Sequence, residues 1–264
     1  MLQPDPVARL RAGDHVASFY QDRRQQWATV LPFIRRGLDN HEKCLYVTDA
    51  GRVEEIETLL QGHAIPVPAL RRRGQLVILT PAETYLRSGT FTSDLVLDLW
   101  DKLTRAAIAE GYRSLCLVAE MSWALQVTTA LSHLAEYEAQ VNVHLAHLPL
   151  VALCQYDRRH FPEDLLLDIL RTHPIVFLDG EHYNNAYYLP PHLYLTGDRR
   201  EEFRWYLHQL RHSHVERSPI ECQTAGPGRW QIHCLGELRV VRDGVPVNWD
   251  EARGATRKVK TLFS

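Results

Sequence analysis

Charge of one sign, cysteine pairs and long apolar runs are all missing from this 264-residue chain. Thirty Lys and Arg stand against 32 Asp and Glu, a formal net charge of −2, so no whole-chain basic field exists to hold nucleic acid. Lysine occurs only at positions 43, 102, 258 and 260, and arginine supplies the other cations. The five cysteines, at 44, 116, 154, 222 and 234, are odd in number, far apart and without a CxxC pair. That argues against a disulfide framework and fits a reducing cytoplasm. No stretch reaches the length of a membrane span, and MLQPDPVARLRAGDH lacks the apolar core of a secretory signal. A soluble, cytoplasmic protein with no membrane partner is expected.

What is present is a 45% hydrophobic composition, enough for a large core. It is arranged as alternating strand-like and helix-like runs. HVASFY (15–20) reads as a strand. Trp27, Val30, Leu31, Ile34 and Leu38 then recur at helical spacing, with Gly37 near the end and Pro32 inside, implying a kink or a late start. KCLYVTD (43–49), QLVILT (75–80), SLCLVAE (114–120), PLVALCQYD (149–157) and PIVFLD (174–179) give five more strands. VEEIETLLQ, SDLVLDLWDKLTRAAIAEG, residues 124–141 and PEDLLLDILR (162–171) give helices between them. The alternation predicts an α/β fold, a mainly parallel sheet with helices on both faces. Its strands are continuous apolar runs, as burial on both faces requires. After residue 180 the style changes, through the aromatic and Pro-rich HYNNAYYLPPHLYL to an amphipathic helix, GDRREEFRWYLHQLRHSHV. A linker (216–229) and a β-rich piece (230–249) follow, with Asp243-Gly244 as a hairpin turn.

HVASFY, FIRRGL, TYLRSGTF, AEMSWAL, YEAQVN, CQYDRRHFPEDLLLDILRTHP and the Tyr-rich segment near Tyr187 together resemble the MEDS family of sensory domains. The resemblance runs from about Gly13 to Tyr188, and Ala119 departs from it, standing where the pattern has Gly. It implies a RecA-like sheet. A RecA-like ATPase needs a Gly-rich loop with Lys-Ser/Thr after its first strand, because backbone N–H groups and the Lys hold the phosphates. FYQDRRQQW has no Gly, no Lys and no hydroxyl for magnesium. The expected fold is therefore RecA-like but without a phosphate loop, plus a short C-terminal β-rich fragment. WQIHCLGELRVVRDGVPVNW with RKVKTLF is similar to the opening of the winged-helix domain in bacterial activators of the antibiotic-regulatory type. The recognition helix is not included, so DNA is expected as a partner only through the missing part of that domain. The expected organisation is a sensory domain (13–195), an amphipathic transmission helix (196–215), a linker (216–229) and an incomplete winged-helix domain (230–264).

Ligands of open α/β sheets bind outside the carboxyl ends of the strands. That selects Tyr20, Asp49, Glu83, Tyr85, Glu120, Ser122, Trp123, Tyr156 and Asp157. LCLVAEMSWAL places Glu120 at the rim of a buried strand, where a carboxylate costs energy unless paired or hydrated. Arg158 or Arg159, after the neighbouring strand, is the expected partner. Such a pair either orients a ligand or only locks two loops together. Tyr20, Tyr85, Trp123 and Tyr156 either wall a pocket with polar tips or are core aromatics. Ser122 lacks a G-x-S-x-G elbow and an activating His, and is expected to cap the following helix. His144 and His147 share a spacing, but no zinc pattern accompanies them, and His173 before Pro174 reads as structural. No metal and no cofactor are expected.

The resulting expectation is a sensory module, not an enzyme, that binds a small organic effector at the strand-end face and signals to an attached DNA-binding domain. Glu120 would orient the effector, Tyr20 and Trp123 would pack on it, and Tyr156 would lend a hydroxyl. An interaction module without a small ligand, dimerising through an exposed apolar patch, and a vestigial nucleotide-binding domain remain open alternatives.

Overall fold

Every apolar run read as a strand forms one. In the computed structural model these are β1 (His15–Tyr20), β2 (Lys43–Val47), β3 (Leu76–Leu79), β4 (Leu115–Glu120), β5 (Leu150–Asp157) and β6 (Ile175–Leu178). The structure describes residues 6–212, 230–233, 239–242 and 245–246. They fall into two units, 1–212 and 213–264. In the first unit the sheet order is β3-β2-β4-β5-β1-β6-β7, where β7 is Glu181–Asn184. The first six strands are parallel, and β7 joins β6 antiparallel. β1, β4 and β5 are buried at every position, which is why they read as unbroken apolar runs.

Helices cover both faces. Trp27, Phe33 and Ile34 of α1 (Arg23–Asp39), Ile56 and Leu60 of α2 (Val53–Gly62) and Leu70 of α3 (Val67–Arg72) pack on Val16, Tyr46 and Val118. On the other face, Trp100 of α4 (Ser93–Ala109), Tyr137 and Val141 of α5 (Thr128–Leu145) and Ile169 of α6 (Glu163–Thr172) pack on Ala17, Leu117 and Tyr156. The division follows the direction of travel along the sheet. Connections that move toward β3 run over the first face, and those that move back toward β6 run over the second. A constant crossover hand requires that correlation. The sequence is thus α/β, mainly parallel and covered on both sides, as expected.

Local differences have local causes. α1 runs through Pro32 without a late start. Gly37 is a close-approach residue in the last turns of α1: a Cβ there would meet the sulfurs of Cys116 and Cys44 at 2.8 and 2.9 Å. The helix expected from residue 124 starts at Thr128, because Met121–Gln126 forms a 3-10 turn first. β7 overlaps the aromatic, Pro-rich segment after residue 180, where the sequence predicts no strand. It is reached through Asp179 and Gly180, both at positive φ (53° and 86°), the two-residue hairpin geometry. α7 (Pro191–Thr196) and α8 (Arg199–His212) complete the unit. No helix among the described residues is long and apolar enough to cross a membrane.

The second unit shows β8 (Trp230–His233), β9 (Arg239–Arg242) and β10 (Val245–Pro246) in an antiparallel sheet of order β10-β9-β8. The linker at 216–229, the Asp243-Gly244 turn and the basic segment at 257–260 lie outside the described residues.

Candidate functional site

Register decides what meets Glu120. β2 lies beside β4 with Val47 opposite Ala119, so the chain leaving β2 arrives next to the carboxylate. Glu120 is 2% exposed. Its Oε1 accepts from Gln26 Nε2 at 2.9 Å and Tyr46 OH at 2.8 Å, and its Oε2 accepts from Thr48 Oγ1 at 2.8 Å and from Arg52 Nη1. Four donors on two oxygens, one of them cationic, are what a buried carboxylate needs. Burial, and then the neighbouring Glu120, push the Tyr46 hydroxyl well above its ordinary value. Burial works against the charge on Arg52, yet Glu120 and Glu55 outweigh it and hold the guanidinium above its usual value.

Over this floor lies a cleft of about 370 Å³ at the strand ends. Tyr20 and Asp157, paired in register across β1 and β5, form one wall, and Asp49 and Ser122 form another. The Ser122 hydroxyl donates to Asp49 Oδ2 at 3.3 Å. The connections after β1 and β2 leave toward one face and those after β4 and β5 toward the other. A reversal of that kind is where open sheets form crevices. Burial pushes the Asp157 carboxyl up, but hydrogen bonds from Arg159 (2.7 and 3.0 Å) and His160 hold it below the usual carboxylate range. Burial, then Glu120 and Asp157, raise the Tyr20 hydroxyl. A larger trough, about 610 Å³, runs along α1 beside Trp27 and Arg35. It lies away from the strand ends, and the buried Arg36 in its lining is held by Glu42 at 2.6 and 2.7 Å.

The turn between β1 and α1 is only Gln21-Asp22, and the Asp22 carboxylate accepts from Gln25 N at 2.9 Å. An acidic side chain therefore takes the helix N-terminus that would otherwise suit a phosphate.

Of the ten residues singled out in the sequence, Tyr20, Asp49, Ser122 and Asp157 line the cleft and Glu120 underlies it. The others lie elsewhere. The partner of Glu120 is Arg52, not Arg158 or Arg159: Arg159 is taken by Asp157, and Arg158 donates its backbone N–H to Tyr20 O at 2.8 Å. Glu83 is exposed and folds back onto the backbone and hydroxyl of Thr80, both at 2.8 Å. Tyr85 and Trp123 stack at 4.5 Å in the core, so Trp123 is not placed to pack on a ligand. The Tyr156 hydroxyl is committed to Glu138 Oε1 at 2.5 Å. Ser122 sits inside the 3-10 turn, and Val127 takes the cap position of α5. Gln26, Tyr46, Thr48 and Arg52 escaped sequence reasoning.

A second polar cluster is buried under α5 and α6. Glu138 Oε2 lies 3.1 Å from His15 Nε2, 3.6 Å from His173 Nε2 and 3.8 Å from Cys154 Sγ. Cys154 Sγ is 3.5 Å from His15 Nε2. Burial pulls His15 and His173 down to about 3, and pushes the Glu138 carboxyl and the Cys154 thiol up. Donor atoms of these four residues all lie within 4.8 Å of one another, so this is the set among the described residues that could hold a metal.

Comparison with known proteins adds three findings. The profile of the methanogen/methylotroph, DcmR sensory domain, abbreviated MEDS, matches residues 14–174. The transcriptional repressor DcmR of Methylorubrum extorquens is 30% identical over 162 residues, which cover 61% of this chain and 58% of that protein. The match thus spans little more than half of the relative's length. The crystal structure of a KaiC-like protein from Pyrococcus horikoshii superposes with a TM-score of 0.43 at 13% identity, over 62% of this chain and 70% of that one.

Proposed function

This chain belongs to the MEDS sensory-domain family, and from that membership we propose that it is the sensory part of a cytoplasmic transcription regulator, not an enzyme, that binds a small organic effector in the strand-end cleft. The observation that carries the reading is the Glu120 floor. Four donors, from α1, β2, the residue that follows β2 and the 50–52 turn, are fixed on one buried carboxylate directly beneath the cleft. A site whose polar groups are already locked by their neighbours is preorganised to orient a ligand. The volume, about 370 Å³, sits at the low end of the roughly 300–1,000 Å³ of small-molecule pockets, which suits a small effector. Leu125 and Phe161 add apolar wall beside Tyr20. The relative's title as a transcriptional repressor supports a regulatory setting.

Signalling follows the packing. The 121–126 turn at the cleft leads straight into α5, α5 packs on α6 and α7, and α7 meets α8. α8 is docked by Arg171–Glu202 at 2.5 Å and by Trp205 Nε1 donating to Tyr188 O at 3.1 Å. An effector that prefers one position of the turn would bias that chain of helices, and only through such differential affinity. In this reading the DNA-binding part that receives the signal lies in the second unit, whose described strands are β8 to β10.

The test is thermal unfolding of the full chain against small halogenated and oxygenated organic compounds, with magnesium–ATP alongside. A ligand at a hundred times its dissociation constant adds about 2.7 kcal/mol. The expected result is a stabilising organic compound whose effect disappears in Ser122→Leu, which fills the cleft. Stabilisation by magnesium–ATP alone, or by an organic compound equally in both proteins, would overturn the reading.

A further inference from the structure

His15 at the start of β1, Glu138 on α5, Cys154 in β5 and His173 at the end of α6 come from four elements and converge on one buried point. We propose that these four side chains hold a tetrahedral divalent transition-metal ion, zinc by the character of its donors, as a closed structural site separate from the strand-end cleft.

The spacing fits. An ion about 2.0–2.3 Å from nitrogen, oxygen and sulfur donors in a tetrahedron sets those donors roughly 3.4–3.6 Å apart. Four of the six separations are 3.1 and 3.6 Å for nitrogen to oxygen, 3.5 Å for sulfur to nitrogen and 3.8 Å for sulfur to oxygen, and all six lie within 4.8 Å.

Proton bookkeeping points the same way. The Ile169 carbonyl can only accept, so His173 Nδ1, 2.8 Å away, donates to it. Asn142 spends its Nδ2 on the carbonyls of Glu138 and Thr172, which turns its Oδ1 toward His15 Nδ1 at 3.2 Å. Both neutral rings therefore present an Nε2 lone pair to the centre, where the Glu138 oxygen and the Cys154 sulfur also sit. Tyr156 already holds the other carboxylate oxygen. The Cys154 thiol has one proton to give, and His173 Nε2, on a residue with no exposed surface, has no hydrogen-bond partner among the described residues. One divalent cation satisfies all four donors at once. Two neutral imidazoles, a thiolate and a carboxylate carry −2, which it neutralises. Ring orientation by Asn142 and Ile169, and carboxylate orientation by Tyr156, are the outer contacts that metal ligands ordinarily have. All four residues are at most 4% exposed, which leaves no open coordination position and marks the site as structural. It clamps α5, the helix that leaves the cleft turn, to the sheet and to α6.

The test uses the full chain, untagged, purified without chelator and analysed for metal by plasma mass spectrometry. About one zinc per folded chain is expected, and its removal by a chelator should lower the melting midpoint until zinc is restored. Cobalt(II) put in its place should give strong tetrahedral visible bands and a near-ultraviolet thiolate-to-cobalt band, the latter lost in Cys154→Ser. Because a buried variant can fail to fold, the chelator and cobalt results on the unmodified chain stand by themselves. A folded chain that takes up no stoichiometric metal would overturn the proposal. So would cobalt spectra without a thiolate band, which would assign the metal to surface histidines.

Discussion

Glu120→Gln should cost more stability than one lost hydrogen bond, and the excess should trace to Arg52. The amide keeps an oxygen for two of the four donors, but its NH2 faces the other two. Tyr46 and Thr48 carry hydroxyls that can rotate and accept, whereas Arg52 has donors only. The amide oxygen therefore turns to Thr48 and Arg52 and its NH2 to the Tyr46 hydroxyl and the Gln26 amide, both able to accept, and what the guanidinium loses is its opposite charge. Removing one partner of a buried ion pair costs about 3–5 kcal/mol. The Arg52 side chain is 23% exposed and can turn an edge to water. That lowers the expected loss to about 2–3 kcal/mol. For a unit of this size each kcal/mol moves the melting midpoint by about 2–4 °C, so a fall of roughly 4–12 °C is expected. Arg52→Ala leaves the carboxylate three neutral donors and should lose about 2 kcal/mol. In the double variant no charge is left without its partner, so its loss should fall short of the sum of the two single losses by about 1–3 kcal/mol. Urea unfolding of the full chain followed by circular dichroism measures all four corners. A Glu120→Gln midpoint indistinguishable from the parent, or strictly additive losses, would refute the reasoning.

Gly37→Ala should destabilise the chain although alanine favours helices by about 1 kcal/mol over glycine. The new methyl would lie 2.8 Å from a buried sulfur, and such overpacking costs about 1–3 kcal/mol; an unchanged or raised thermal midpoint would contradict this. Trp123→Ala should lose about 3–5 kcal/mol in chemical denaturation, because the ring stacks on Tyr85 inside the core; a loss near zero would return Trp123 to the surface of a pocket.

The sheet was legible because β1, β4 and β5 are buried on both faces and so could not alternate. β7 was not, since its four residues, EHYN, are mostly exposed and polar; the Asp179-Gly180 pair was the available signal. Glu120 stood out as a carboxylate ending an apolar run. Its partner did not, because Arg52 follows β2, and only the strand order sets β2 beside β4. On its other side β4 is flanked by β5, as expected, but there Asp157 takes Arg159 at 2.7 Å. Positions 15, 138, 154 and 173 share no local spacing at all, so that cluster exists only once the chain is folded.

The β6–β7 hairpin bears on how copies of this chain behave when crowded together. A bare parallel edge offers a row of unsatisfied amides and carbonyls that any extended segment can copy. Here that flank of the sheet ends instead on four residues running the opposite way, with Glu181, Tyr183 and Asn184 exposed. A template so short, with a carboxylate at its start, gives an incoming strand little length to zip and a charge to bury. Growth of the sheet from one molecule into the next is opposed at that flank by the hairpin itself.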